Sequence, residues 1–385
     1  MIYLDNNSTT PVDPEVLEAM MPYFTHQFGN SSSIHSFGQS TNDAVKEATS
    51  KIARLIGCEK SEIIFTSGAT ESINLAMKGL AEKNSSERNH IITLKTEHKA
   101  VLDVSHYLEK KGFKVSYLPV GSDGLVDLEA LRNELSSNTL LVSVMLANNE
   151  TGIIQPIQEI AQLSHGAGAF FMTDATQAFG KIPLDIDEMG IDLMAFSGHK
   201  IYGPKGIGGL YIRSRGSKKV KLDAHIHGGG HQRGFRSGTL NAPGIIGLGE
   251  AARIAKKKMS NDANHTALLR DHLESQLLMI EGVKIKGNTE SRLPNTTNLY
   301  FEGIDSDALM MGLENIIISN GSACTSTSTE PSHVLKAMGL NDDEAYCCLR
   351  FGFSRFNTME EVEIVVEKIK EVTAQLRPMN IVQFL

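Results

Sequence analysis

A carboxylate and a lysine each follow an apolar run in the middle of the chain. Asp174 directly follows the run at 169–173, and Lys200 comes shortly after a second run at 193–196. If both runs are strands of one parallel sheet, their carboxyl ends meet at the same edge. A lysine can form a Schiff base with the aldehyde of pyridoxal phosphate (PLP), and a carboxylate can hold a proton on its pyridine nitrogen so that the ring accepts electrons. The pair therefore predicts a PLP-dependent enzyme.

The residues around Lys200 favour a constrained loop over an exposed helix face. Gly198 precedes the lysine, and the run YGPKG follows it at 202–206. Glycine and proline in such a run are typical of tight turns. Lys205 is a rival for the Schiff base, but it lies deeper in the turn, and Lys200 is preferred.

A second segment has the residue types of a phosphate site. Residues 67–72 read SGATES between a predicted strand and a predicted helix. Small residues such as Ala69 let backbone N–H groups and the Thr70 hydroxyl approach a phosphate at the positive end of a helix. An ordinary helix cap is the alternative for this run taken alone. Together with the carboxylate and lysine, it favours a phosphate site, to which Ser197 and His199 would add donors.

Three more polar residues follow predicted strands or lie in one. His98 opens a predicted helix and would suit proton transfer beside a cofactor ring, because its ordinary pKa is near neutrality. Asn149, in ANNETG at 147–152, could bind the cofactor's phenolate oxygen or the substrate, although a simple turn also explains it. Arg350 could grip an α-carboxylate with two parallel hydrogen bonds, although a surface ion pair is an equal alternative.

One cysteine has surroundings unlike those of the other three. Cys324 lies among small polar residues at 319–329, a composition that predicts a mobile, exposed loop and an accessible nucleophile. Cys58, Cys347 and Cys348 are expected to be spectators. The spacing of the four matches no zinc framework, and so few cysteines argue against a disulfide scaffold.

The order of apolar runs and helical patterns predicts an α/β fold. Strand-like runs alternate with helices up to about residue 212, which indicates a mostly parallel sheet covered on both faces. From about Ala251 a helical pattern runs to about Leu278, and short strands and a last helix follow it. We therefore predict a large PLP-binding domain at 15–254 and a smaller α+β domain formed by 1–14 and 255–385, which carries the Cys324 loop.

Composition excludes several classes of protein. The net charge of −8 gives no electrostatic reason to bind nucleic acid or an anionic membrane. No apolar stretch approaches the roughly 20 residues of a membrane span, and the first residues do not resemble a signal peptide. A reducing cytoplasm is the expected location.

Eight short motifs, in family order from residue 3 to about 355, resemble those of the cysteine desulfurases, which are PLP enzymes of the class-V aminotransferase family. They are YLDNN at 3–7, TSGATES at 66–72, TEHKAV at 96–101, NNE at 148–150, DATQ at 174–177, SGHK at 197–200, RSGT at 236–239 and SACTS at 322–326. The serine- and threonine-rich cysteine loop is similar to that of the NifS/IscS-like group.

The resemblance implies a homodimer of fold-type-I PLP-dependent transferases that converts L-cysteine to L-alanine and leaves the sulfur on Cys324 as a persulfide. The implied site residues are Lys200 for the Schiff base, Asp174 for the ring nitrogen, Gln177 and Asn149 for the phenolate oxygen, Ala69, Thr70, Ser197, Gly198 and His199 around the phosphate together with Thr239 of the partner subunit, His98 stacked on the ring, and Arg350 with Asn149 for the substrate.

The resemblance also implies a protein that accepts the sulfur, either an iron–sulfur scaffold or another acceptor such as a transfer-RNA thiolation enzyme. Two alternatives stay open at this point. One is a selenocysteine lyase or another PLP lyase of the same fold, and the other is a non-catalytic interaction subunit.

Overall fold

A computed structural model of the chain describes residues 1–84, 88–216, 219–320 and 330–381. Cys324 lies outside these described residues.

The larger part of the chain is built on a seven-stranded sheet. Its strands are β2 (Ile63–Thr66), β3 (His90–Leu94), β4 (Lys114–Leu118), β5 (Thr139–Ser143), β6 (Phe170–Asp174), β7 (Leu193–Ser197) and β8 (Gly208–Ile212). The strand order is β2-β8-β7-β6-β5-β3-β4. In this sheet β8 pairs antiparallel with both of its neighbours, and the other strand pairs are parallel. The prediction of an α/β fold with a mostly parallel sheet is confirmed.

Helices cover both faces of this sheet, because its central strands are apolar on both sides. One face packs into a core with α3 and α7, and the other into a core with α4 and α5. The helices of this part are α1 (Pro14–Met20), α2 (Pro22–Thr25), α3 (Ser36–Ile56), α4 (Ala69–Asn84), α5 (Lys99–Glu109), α6 (Leu128–Glu134) and α7 (Ile157–Gly166).

A smaller part contains a three-stranded antiparallel sheet in the order β12-β10-β9, and a two-stranded parallel pair, β1 with β11. Its strands are β1 (Ile2–Tyr3), β9 (Val283–Ile285), β10 (Thr296–Phe301), β11 (Ile316–Ile317) and β12 (Cys348–Gly352). Its helices are α9 (Ser306–Gly312), α10 (His333–Ala337), α11 (Asp342–Tyr346) and α12 (Met359–Ile381). Its separate apolar core includes Leu4, so the first residues of the chain pack here.

One long helix, α8 (Ala242–Leu277), joins the two parts. It begins earlier than the predicted start at Ala251, because three glycines near its start weaken the helical pattern in the sequence. Gly249 is needed there: a Cβ would lie 2.6 Å from the Cα of Ala48 in α3. Residues of α8 up to Ile254 pack in the large core, and those from Leu269 pack in the small one. The predicted division at 254/255 thus falls inside a continuous helix, and it stays a prediction.

Within the described residues, none of the helices combines the length and the apolar character required to cross a membrane.

Candidate active site

A cavity of about 530 Å³ lies beyond the carboxyl ends of the central strands. This volume is in the range of small-molecule sites. Ten predicted site residues line it: Ala69, Thr70, His98, Asn149, Asp174, Gln177, Ser197, His199, Lys200 and Arg350. Gly198 is buried and does not line the cavity; it begins the turn that carries His199 and Lys200. Thr239 is exposed and does not line this chain's cavity, and the loop of Cys324 is outside the described residues.

Lys200 ends a single turn of 3-10 helix directly after β7. Its Nζ donates hydrogen bonds to the backbone oxygens of Asn7, at 2.5 Å, and Ser8, at 2.7 Å. The chain then bends sharply, with Tyr202 in the left-handed region at φ 64°. Lys205 also lines the cavity, but it is exposed. The turn therefore holds the Lys200 amine inside the cavity and against the N-terminal segment.

Asp174 is the last residue of β6, and it is 4% exposed. Its Oδ1 accepts a hydrogen bond from the backbone N–H of Thr176 at 2.9 Å and another from the Thr176 hydroxyl. These two bonds fix the orientation of the carboxylate, which lines the cavity. A fixed carboxylate of this kind can pair with a protonated ring nitrogen.

The N-terminus of α4 forms another wall of the cavity. Ala69 and Thr70 are its first residues, and the first N–H groups of a helix have no acceptor within the helix. Glu71 accepts from the backbone of Ser67 at 2.7 Å and pairs with Arg236 at 2.8 Å, which holds the turn in place. Backbone donors at a helix N-terminus favour an anion such as a phosphate.

His199 lines the same cavity, and its neutral ring can donate or accept a hydrogen bond. Its removal from water, and then the charges of Lys200 and Lys205, lower its pKa to about 4. Its Nδ1 lies 3.1 Å from the Thr9 hydroxyl. At neutral pH this ring therefore offers hydrogen bonds without adding positive charge.

His98 is the N-cap of α5. Its Nδ1 accepts a hydrogen bond from the backbone N–H of Ala100 at 3.1 Å. Because Nδ1 is the acceptor, the proton of a neutral ring lies on Nε2. The cap fixes both the ring position and its tautomer, which suits a group that transfers a proton.

Two acids that the sequence did not single out are buried next to His98 and Asn149 in the chain. Burial raises the pKa of Glu97 well above its ordinary range, with a further contribution from the charge of Asp174. Burial also raises the pKa of Glu150 to about 7, against the opposing effects of the Ser332 hydrogen bond and of the charges of Arg350 and His98. Both acids are at most 4% exposed.

Arg350 enters the cavity from β12 of the small part, with its side chain 3% exposed. Its Nη2 donates to Asp5 at 2.6 Å and to the Ser8 hydroxyl at 2.8 Å, and its Nη1 donates to the backbone oxygen of Asn149 at 3.0 Å. Its buried Nε has no acceptor among the described residues. A substrate carboxylate at this guanidinium would therefore share it with Asp5.

The sequence did not single out several groups that build the cavity. The backbone oxygens of Asn7 and Ser8 receive Lys200, and Lys181 lies behind Gln177. Backbone acceptors carry no side-chain signal. The motif at 3–7 was the one indication that the N-terminal segment belongs to the site.

The donor set fits PLP. An amine, a fixed carboxylate and a helix N-terminus with hydroxyl groups face one cavity, and they match the aldehyde, ring nitrogen and phosphate of the cofactor. The described residues hold no cluster of three or more metal-ligating side chains.

Comparison with known proteins gives similarity over nearly the whole chain. Residues 2–365 match the family described as Aminotransferase class-V. Cysteine desulfurase IscS of Rickettsia massiliae (strain Mtu5) is 48% identical over 381 residues, which cover 98% of this chain and 92% of that protein.

Solved structures agree with this. A NifS-like protein superposes with a TM-score of 0.91 at 40% identity, over 97% of this chain and 99% of the other. SspA, solved in complex with cysteine, superposes with a TM-score of 0.81 at 37% identity, over 93% of this chain and 100% of the other.

Proposed function

Because the chain belongs to the class-V aminotransferase family, and within it to the PLP-dependent cysteine desulfurases, we propose that it takes sulfur from L-cysteine and carries that sulfur on Cys324. The observation that supports this most is the single cavity that contains Lys200, Asp174 and the N-terminus of α4. The structural neighbour SspA was solved with cysteine bound, which supports the choice of substrate.

The cofactor would be held at both ends. Asp174 would pair with the ring nitrogen, and Thr70, Ser197 and His199 would bind the phosphate together with the N–H groups of α4. When bound, PLP supplies an electron sink that makes the α-proton of an amino acid acidic. Lys200 is the residue that bonds to the cofactor, since its Nζ is the amine held within the cavity.

The substrate is oriented by its carboxylate. Arg350, from β12 of the small part, and Asn149, which follows β5 in the large part, bind it. Once the substrate amine has replaced it on the cofactor, Lys200 Nζ would be free to accept the α-proton, and the His98 ring, with its proton on Nε2, would assist the later proton transfers. Arg350 comes from the small part of the molecule and Lys200 from the large part, so a substrate bound to both residues lies between the two parts.

The sulfur step uses a thiolate. Cys324 attacks the sulfur of the bound cysteine, so that an S–S bond forms and the C–S bond breaks. The electron pair of the broken bond stays with carbon, which takes up a proton and leaves as alanine, while the enzyme keeps a persulfide. The described cysteines suit this role poorly: burial raises the pKa of Cys58 and of Cys348 to about 12.

Replacing Cys324 tests the proposal. Cys324→Ala should bind PLP as the wild type does, with visible absorption at about 400 nm, and should form no persulfide with L-cysteine. Cys58→Ala is the matched control, and it should form persulfide at the wild-type rate. Alanine release by Cys324→Ala at the wild-type rate would contradict the assignment, as would a protein that binds no PLP.

We further propose that the enzyme works in the cytoplasm as a homodimer in which Thr239 serves the partner's site, and that a scaffold for iron–sulfur assembly or another acceptor protein receives the sulfur. The exposed position of Thr239, away from its own cavity, supports the exchange. Sedimentation of the holoenzyme checks it: a monomer with full PLP affinity would contradict it.

A further inference from the structure

Lys181 lies behind the active-site cavity, in the turn segment that follows β6 and seven residues after its last residue, Asp174. Its Nζ donates to Gln177 Oε1 at 2.9 Å. Gln177 Nε2 in turn donates to the backbone oxygen of Asn7 at 2.8 Å, and this same oxygen accepts from Lys200 Nζ at 2.5 Å. Lys181 is thus connected to the lysine of the proposed Schiff base through one amide and one carbonyl.

A glutamine amide has an oxygen that accepts hydrogen bonds and an NH₂ group that donates them. The hydrogen-bonding groups around Gln177 determine the direction in which each of the two points. An ammonium group only donates hydrogen bonds, so it requires the oxygen of the Gln177 amide on its own side. The NH₂ end is then directed toward Asn7 and Lys200. Gln177 is 2% exposed and lines the cavity, so solvent does not compete strongly for either end.

The orientation matters because of where the PLP hydroxyl must lie. That hydroxyl is carried by the ring carbon adjacent to the one that carries the aldehyde group, so with the aldehyde at Lys200 its oxygen faces groups beside Lys200. A donor there stabilises the phenolate, whereas the oxygen of a turned amide would repel it. The charged groups facing Lys181 are Lys200 and Arg350, and Asp262 and Arg355 line a small cavity that Lys181 also borders.

We propose that Lys181 is a positioning residue that fixes the Gln177 amide with its NH₂ group toward the hydroxyl oxygen of bound PLP. The inference rests on the proposed function, since it needs the cofactor at Lys200. Burial, and then the charges of Lys200 and Arg350, lower the pKa of Lys181 to about 7. The fixing of the amide is therefore strongest below that pH, where Lys181 is an ammonium group that can only donate.

The measurement is a pH titration of the visible absorption band of the holoenzyme, whose midpoint reports the pKa of the Schiff-base nitrogen. A hydrogen bond donated to the phenolate oxygen stabilises the form with an unprotonated Schiff-base nitrogen more than the protonated form. Loss of this hydrogen bond therefore raises the midpoint. We expect Lys181→Met and Gln177→Leu each to raise it by roughly one pH unit. Lys181→Arg, which keeps a pure donor, should keep the wild-type midpoint.

A double variant separates positioning from a direct effect of charge. If Lys181 acts through Gln177, adding Lys181→Met to Gln177→Leu should shift the midpoint no further. Shifts that add would overturn the inference, as would a wild-type midpoint in Lys181→Met. Lys51→Met removes a partly buried lysine paired with Glu250 at 2.8 Å elsewhere, and it should titrate as the wild type does.

Three further outcomes are decisive. If Lys181→Met does not fold, Lys181→Gln replaces it in the comparison, because a glutamine can accept as well as donate and also frees the amide to turn. An unchanged midpoint in that variant overturns the inference. A wild-type protein that shows no band with PLP overturns the proposed function itself, whereas Lys181 variants that titrate as the wild type does, beside a shifted Gln177→Leu, overturn only the role of Lys181.

Discussion

Glu150 has a carboxyl group whose charge is unfavourable in the folded protein. It is 4% exposed, and its Oε2 accepts a hydrogen bond from Ser332 in the short segment before α10. Burial raises its pKa from 4.5 to about 7, and the Ser332 bond, Arg350 and His98 offset part of this rise. A group with a raised pKa in the folded state stabilises the fold fully below its unfolded pKa, and this contribution is lost as the pH rises through the folded value.

Glu150→Gln should therefore change how stability depends on pH. The glutamine does not titrate, so the variant should become more stable relative to the wild type as the pH rises from 5 to 8. The relative gain over this range is about 2.5 kcal/mol, since each pKa unit corresponds to about 1.4 kcal/mol. Thermal unfolding of both proteins across this pH range measures it. Exposed Glu290→Gln is the control, and a constant difference between Glu150→Gln and wild type would contradict the prediction.

At the scale of elements, the phosphate end of the site depends on how closely β8 approaches the turn before α4. Gly208 pairs with Thr66 at the end of β2 and with Ser197 at the end of β7. A Cβ on Gly208 would lie 2.6 Å from the backbone oxygen of Phe196 and 2.7 Å from the Cα of Gly68. Both obstacles are backbone atoms, so a larger residue must displace the strand end or the turn.

Gly208→Ala should displace the N-terminus of α4 and weaken PLP binding. Overpacking of this kind costs about 1–3 kcal/mol of folding free energy. Displacement of the turn before α4 moves the N–H groups that would bind the phosphate, and it should lower PLP affinity by roughly tenfold. PLP titration followed by absorbance, together with the thermal midpoint, measures both effects. Gly166→Ala at the end of α7, where a Cβ would meet nothing within 4 Å, should change neither. Unchanged affinity in Gly208→Ala would mean that the turn does not depend on this contact.

The elements also show what could be predicted from the sequence. The runs ending at Asp174 and Ser197 were placed correctly, because buried parallel strands are continuously apolar and end where polar residues begin. Edge strand β4 was not predicted, since its residues are half-exposed and its pattern is weak. The sequence does not show that the backbone oxygen of Asn7 accepts from Lys200, because a backbone acceptor does not depend on residue type. It does not show the position of Lys181 either, because in the sequence Lys181 looks like an ordinary surface lysine. The roles of the site residues remain predictions.

At the scale of the whole molecule, Arg355 joins three distant parts of the chain. It pairs with Asp13, the cap of α1, at 3.2 Å, and with Asp262 in α8 at 2.9 Å. Its guanidinium lies 4.0 Å from the centre of the Tyr202 ring, and its backbone N–H donates to the Tyr202 hydroxyl at 3.0 Å. Tyr202 closely follows Lys200, so this contact connects the small part of the molecule with the loop of the active-site lysine.

Arg355→Met should destabilise the protein by roughly 3–5 kcal/mol, because it leaves the buried carboxylate of Asp13 without its partner and removes the pair with the partly exposed Asp262. Arg355 is 7% exposed and Asp13 is 5% exposed, so solvent compensates little. Arg253→Met is the matched control: Arg253, in α8, also pairs with α1, through Glu15, and with Glu250 in its own helix, but it is 39% exposed. Exposed pairs contribute about 0–1 kcal/mol. Thermal unfolding compares the two variants, and limited proteolysis reports whether the two parts separate. Equal losses in both variants would show that burial of the Arg355 pairs does not determine how firmly the two parts are joined.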